Sequence, residues 1–215
     1  METNNLKFAK QIAYSSEETL MFSYECAKKM KDSDGDYVEC GVAAGAQVIA
    51  MAEGAPDKII HAFDSFEGIP LPSNKDDQMP GIQYFTKSEQ NKLPDFGHQE
   101  LVSSGATVVP LDAFMTNISK VKNIANIKVY KGWFENTLQE NNIDKISILR
   151  LDGDLYNSTL VCLQHLFPKV IKGGIVIIDD WQLQGCQLAC VDYFKSINFT
   201  PNYKSISNIC YFINE

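Results

Sequence analysis

Apolar positions along this chain follow two rhythms. From about Leu6 to Met30 they recur every three or four residues (Phe8, Ile12, Leu20, Met21, Phe22, Cys26, Met30), which predicts one or two helices. After the turn "DSDGD" at 32–36 the rhythm shortens to near-continuous runs. "YVECGV", "KIIHAFD", "NIKVYKG", "KISILRLD" and "IVIIDD" read as buried strands, and "SISNICYFIN" as a final one. Between them, "AAGAQVIAMAEGA" reads as a helix ending near Gly54, followed by "LDAFMTNISKVKNI" and a short helix starting in "WFENTLQENN". "YNSTLVCLQHLFPKVIKGG", closed by Lys172, Gly173 and Gly174, and "QGCQLACVDYFKSIN" complete the helices. Strands separated by helices need crossover connections, so the expected fold is α/β with a doubly wound, mostly parallel sheet. Runs of Val, Ile and Leu without strict alternation fit strands covered on both faces.

One stretch breaks the rhythm. From Ser65 to about Gly105 the chain is rich in Pro, Gly, Asp and Gln, with aromatics at Phe66, Tyr84, Phe85 and Phe96. A connection this long inside one domain is more often functional or disordered than incidental. The expected organisation is a single domain over 1–215, with an N-terminal helical cap (1–34) and an inserted lid loop (66–100).

Charge and composition narrow the partners. Acids outnumber bases 27 to 19, a formal charge of -8, with no basic cluster to override it, so nucleic acid and anionic membranes are not expected partners. No run reaches the length of a membrane span, and the polar, amphipathic N-terminus lacks the features of a signal peptide; a cytoplasmic location is expected. The six cysteines (Cys26, Cys40, Cys162, Cys186, Cys190, Cys210) are scattered with no zinc-type spacing, and read as reduced, packed thiols.

The chemistry gathers where strands end. In a doubly wound sheet ligands bind at the carboxyl ends of the strands, and Glu39, Asp64, Asp152, Asp154, Asp179 and Asp180 all fall there. "ECGVAAG" places Gly41 and Gly45 in a strand-to-helix turn, where backbone must come close to a ligand, and it is not a GxGxxG dinucleotide signature. Asp64 closes the next strand about twenty residues on, the usual place for an acid that binds both ribose hydroxyls. The two features together favour an adenosine-containing cofactor. Glu39 lies further inside its strand, either as a hydrogen-bonded structural acid or as a contact to a cofactor's ammonium group; an acid in an apolar strand is costly without a partner. Asp152, Asp154, Asp179 and Asp180 would crowd together if their strands are neighbours, and crowded carboxylates raise one another's pKa unless a cation neutralises them. Single members could instead cap helices: Asp154 the one near Tyr156, Asp180 the one after Trp181. For four acids in two pairs, a hard divalent cation such as Mg²⁺ is the better account.

In these residues the chain resembles the macrocin O-methyltransferase (TylF-type) family of S-adenosylmethionine-dependent enzymes, some of which methylate sugar hydroxyls of natural products. The resemblance runs from about Tyr37 to the end and rests on "VECGVAAG", "FDSFEGIP", "KGWFENTL", "LRLDGDLYNST", "GGIVIIDDW" and "CQLACVDYF" in family order. It implies a Rossmann-like class I methyltransferase fold with a seven-stranded sheet. It implies cofactor contacts at Glu39, Gly41, Gly45, Asp64, Ser65, Phe66, Trp133, Phe134 and Asp152, a Mg²⁺ set of Asp152, Asp179 and Asp180, and Asp154 as a further ligand or the general base. The acceptor would be a small hydroxylated molecule, such as a sugar or other polyol, and a homodimer is left open. The chain departs from the family pattern in the two alanines of "GVAAG" and in Asn136. His98 is an alternative base, while His61 and His165 read as structural. Two other readings stand beside this one: a nicotinamide-dependent dehydrogenase and a non-catalytic, cofactor-binding relative.

Overall fold

A computed structural model describes residues 3–76, 101–122, 126–139 and 141–215. Its centre is a seven-stranded sheet in the order β3-β2-β1-β4-β5-β7-β6. The strands are β1 (Asp36–Cys40), β2 (Ile60–Asp64), β3 (Ile127–Lys131), β4 (Ile146–Leu151), β5 (Val170–Ile178), β6 (Lys204–Ile206) and β7 (Ile209–Ile213). Strands β1 to β5 run parallel, and β7 lies antiparallel to both β5 and β6. The chain steps outward from β1 through β2 to β3, then returns to lay β4 on the other side of β1. That reversal opens a crevice between the ends of β1 and β4, the usual ligand position in such sheets.

The described helices are α1 (Asn4–Ile12), α2 (Glu17–Met30), α3 (Ala46–Gly54), α4 (Leu111–Ser119), a single turn α5 (Phe134–Thr137), α6 (Tyr156–Leu166) and α7 (Gln184–Ser196). Strand alternation divides the core between two helical layers. Val38, Cys40, Leu149, Leu151, Val176 and Ile178 pack with α6 and α7. Tyr37, Ala62, Ile148, Ile175 and Ile177 pack with α2 and α3. Helices α1 and α2 begin at side-chain caps, Thr3 accepting from Leu6 N and Ser16 from Thr19 N. Both pack on α3 through Leu6, Ala9, Leu20, Ile49 and Ala50.

Two expectations are corrected. The helix that starts at Tyr156 does not run to the glycines at 173–174. It ends at Leu166, a 3₁₀ turn covers Phe167–Lys169, and Val170 already pairs with Ile146 as strand. Pro168 supplies no N–H for a continuing helix, and the β-branched Val170 and Ile171 suit the sheet. The single final strand is a hairpin, with Ser207 at φ 53 turning β6 back onto β7. All six cysteines are free and buried. His61 is buried in β2 between Asp36 and Tyr130, each 2.9 Å away, and His165 lies in the last turn of α6. Among the described residues no helix is long and apolar enough to cross a membrane. Tyr84, Phe85, Phe96 and His98, with most of the expected lid, lie outside the described residues.

Candidate active site

The site is assembled from the exits of β1, β2, β4 and β5. At the end of β1, Gly41 has φ 89, and a Cβ placed there would sit 1.8 Å from the Asp152 carbonyl oxygen. Glycine is therefore required for β1 and β4 to leave the sheet this close together. Gly45, at φ 88, caps α3 with Phe114 directly behind it, and no side chain satisfies the first N–H groups of that helix. Asp64 organises this loop: its Oδ2 accepts from Ala43 N at 2.9 Å and its Oδ1 from Phe66 N at 2.7 Å. Burial raises its pKa, and those backbone N–H groups oppose the rise. Ser65 Oγ donates to the Gly68 carbonyl and so folds the following turn. Phe66 turns inward, 4% exposed, with its ring 5.4 Å from Phe114. It pins the loop to the core and, like Gly45, walls neither of the two cavities at these strand ends.

Two cavities adjoin at these strand ends. One, of about 240 Å³, is walled by Asp64, Ser65, Trp133, Phe134, Gly153 and Asp154, among others. Aromatic faces opposite an acid at the end of the second strand suit a nucleoside. The other, of about 220 Å³, is walled by Glu39, Ala44, Gln47, Asp179, Gln182 and Asn208, among others. Two buried oxygens there, Glu39 Oε2 and Gln47 Oε1, have no hydrogen-bond partner among the described residues. Unpartnered buried acceptors are costly unless a ligand donates to them. The uncapped start of α3 beside them favours an anion. A cationic donor and an anion side by side describe the zwitterionic end of an amino acid.

The strand-end aspartates meet as expected, and a cation already stands among them. Asp152, Asp179 and Asp180 each offer one carboxylate oxygen, all within 4.8 Å of one another. Asp154 joins through its backbone: at φ 60 its N–H donates to Asp180 Oδ2 at 2.8 Å. The alternative, helix capping by Asp154 or Asp180, does not form: α6 and α7 are preceded by Leu155 and Leu183 without side-chain caps. The unforeseen member is Arg150, fully buried inside β4. Glu39, Arg150 and Ile177 are in register across β1, β4 and β5, and alternation puts Asp179 on the same sheet face as the first two. The guanidinium donates to Asp152 Oδ2 at 2.9 Å and to Asp179 Oδ1 at 2.5 Å, with Glu39 Oε1 at 3.8 Å. A charge inside an apolar strand, which makes Glu39 conspicuous, marks the arginine in "ILRLD" equally well. Gln47 and Glu135, which also wall the cavities, carry no such signal.

Electrostatics follows from this crowding. Burial alone would lower the Arg150 pKa, but Asp179, Asp152 and Glu39 together drive it up, so the guanidinium stays charged. Burial pushes Glu39 up to about 8 despite Arg150 nearby. Desolvation and then Asp179 raise Asp152, and desolvation with Asp154 raises Asp180. Asp154 rises for the same reasons, burial first and then the charge of Asp152. One arginine does not neutralise this many acids. Three convergent carboxylates are hard oxygen donors, a set that fits Mg²⁺, Mn²⁺ or Ca²⁺ rather than zinc.

Comparison with known proteins places the chain in a family. The family profile of macrocin-O-methyltransferase (TylF) matches residues 23–214. Over 165 residues the chain is 32% identical to the 8-demethyl-8-(2,3-dimethoxy-alpha-L-rhamnosyl)-tetracenomycin-C 4'-O-methyltransferase of Streptomyces olivaceus, covering 74% of this chain and 58% of that protein. Over 154 residues it is 32% identical to the demethyldecarbamoylnovobiocin O-methyltransferase of Streptomyces niveus, covering 69% and 53% respectively. The match thus spans little more than half the length of these relatives. The solved structure of the O-methyltransferase NovP superposes with a TM-score of 0.73 at 24% identity, over 93% of this chain and 80% of that one, which shows the shared fold. On the profile match and these identities, the chain belongs to the macrocin O-methyltransferase (TylF) family.

Proposed function

We propose that this chain is an O-methyltransferase that moves the methyl group of S-adenosylmethionine to a hydroxyl of a sugar or other polyol in a natural product, with the help of a divalent cation. The observation that carries the reading is the pair of adjoining cavities, one walled by Asp64 and two aromatic rings and one with unpartnered acceptors for an ammonium, meeting beside three convergent carboxylates. In this reading Asp64 takes the ribose hydroxyls with the same carboxylate that holds Ala43 and Phe66. Trp133 and Phe134 flank the adenine. Glu39 and Gln47 receive the ammonium, and the start of α3 faces the carboxylate. The sugar acceptor is supported by the rhamnosyl substrate in the name of the Streptomyces olivaceus relative.

The chemistry is an in-line displacement. The acceptor oxygen attacks the methyl carbon, the carbon–sulfur bond breaks, and its electrons return to sulfur, leaving a neutral thioether. A free alcohol is a poor nucleophile at neutral pH, so its proton must leave as the bond forms. In this reading Asp154 takes it; the role is supported by its place on the cavity wall and by a raised pKa that makes it a stronger base than an ordinary carboxylate. Asp152, Asp179 and Asp180 would hold the cation, whose chemistry when bound is to polarise the hydroxyl and fix its direction. Calorimetric titration of S-adenosylmethionine and S-adenosylhomocysteine, with Mg²⁺ and with chelator, tests the cofactor half. Micromolar binding of both is expected, followed by Mg²⁺-dependent methylation in a screen of deoxysugar-bearing acceptors. Binding of neither cofactor form would sink the proposal.

A further inference from the structure

The two cavities share four wall residues: Tyr14, Gly41, Ala43 and Asp152. A molecule with adenosine at one end and an amino acid at the other must cross this shared wall, and its sulfonium is the atom that joins the two halves. Gly41 and Ala43 are too small to do more than make room, and Asp152 supplies negative charge on one side. Tyr14 is the one aromatic among the four. It stands in the connection between α1 and α2, 74% exposed, with no ring contact or side-chain hydrogen bond among the described residues. Its neighbours, by contrast, are tied down. Ser15 Oγ accepts from Gln47 Nε2 at 2.8 Å, which fixes it to the wall of the amino-acid cavity, and Ser16 caps α2. The backbone around Tyr14 is thus held at the cavity rim, while its ring is left for whatever fills the junction.

We propose that Tyr14 is a cofactor-contact residue whose ring covers the sulfonium at the junction of the two cavities, opposite Asp152. An aromatic face attracts a cation through its quadrupole, most strongly when water is displaced. The contact therefore distinguishes the charged substrate form of the cofactor from its neutral thioether product. It weakens product binding relative to substrate binding and helps orient the methyl group. The inference rests on the S-adenosylmethionine reading above.

The test separates the two. S-adenosylmethionine and S-adenosylhomocysteine are titrated separately into the wild-type protein, Tyr14→Phe and Tyr14→Leu. With the side chain three-quarters exposed, neither substitution disturbs the core. Tyr14→Leu should lose roughly three- to tenfold more affinity for S-adenosylmethionine than for S-adenosylhomocysteine, while Tyr14→Phe keeps the wild-type ratio. A purely space-filling role would weaken both ligands equally. Equal losses, or no loss in Tyr14→Leu, overturn the assignment and leave the methyltransferase reading standing. Wild-type protein that binds neither ligand removes both.

Discussion

Arg150 holds one oxygen of Asp152 and one of Asp179, and a buried charge network of this kind is far costlier to break than to keep. Arg150→Met is expected to lower unfolding free energy by about 3–5 kcal/mol, read from urea denaturation. A loss under about 1 kcal/mol would mean the acids are content without it. Glu39 has a folded-state pKa pushed up to about 8, against roughly 4.3 for an unperturbed glutamate. The folded protein therefore keeps a proton that the unfolded chain gives up. This group's contribution is fully present below about pH 4 and is lost as the pH rises toward 8. Without metal or cofactor, the urea midpoint should fall between pH 6 and pH 8, at up to about 1.4 kcal/mol per pH unit for this group. Glu39→Gln should flatten the fall; an unchanged slope would assign it elsewhere. Asp154→Asn should cut turnover by about 10²- to 10⁴-fold with S-adenosylhomocysteine affinity unchanged, if Asp154 takes the acceptor's proton. At this scale the acids were legible in the sequence because carboxylates at strand ends are conspicuous. The charge of Arg150 inside an apolar strand is as conspicuous as that of Glu39, but its pairing with Glu39 and Asp179 is not, because those acids lie on two other strands and only the register brings them together.

The elements matter through how closely their ends approach. The exits of β1 and β4 touch at Gly41, where any side chain would collide with the Asp152 carbonyl and the backbone sits at φ 89. Gly41→Ala should therefore cost at least about 2 kcal/mol and abolish cofactor binding, measured by denaturation and titration side by side. A variant of normal stability that still binds would show that the two exits can separate. Strand identity was readable from short runs of Val, Ile and Leu, and helix identity from capped, periodic segments. Element ends were less so. Pro168 stops α6 early, and the turn at Ser207 makes a hairpin of what reads as a single run. In both places a local backbone constraint overrides an apolar pattern that continues unbroken.

Across the whole molecule, a chain of formal charge -8 gathers several of its acids at one end of the sheet, with one buried arginine among them. A divalent cation that binds only the folded site should stabilise it. At 100 times its dissociation constant, the gain is about 2.7 kcal/mol, or about 5–10 °C in Tm for a chain of this size. Asp179→Asn combined with Asp180→Asn should abolish that shift; if the shift persists, the cation binds elsewhere. The sequence by itself determined the α/β class, the strand-end acids, the glycine turn after β1 and the family, because each is written in contiguous residues whose periodicity or spacing carries the signal. Tertiary structure alone decided that Arg150 lies among Glu39, Asp152 and Asp179, that Phe66 faces the core, and that Tyr14, near the start of the chain, walls the same cavities as Asp152. Strand order and register bring Arg150 beside Glu39 and Asp179, and the packing of the chain's first two helices brings Tyr14 to Asp152, relations between distant residues that no local pattern in the chain encodes.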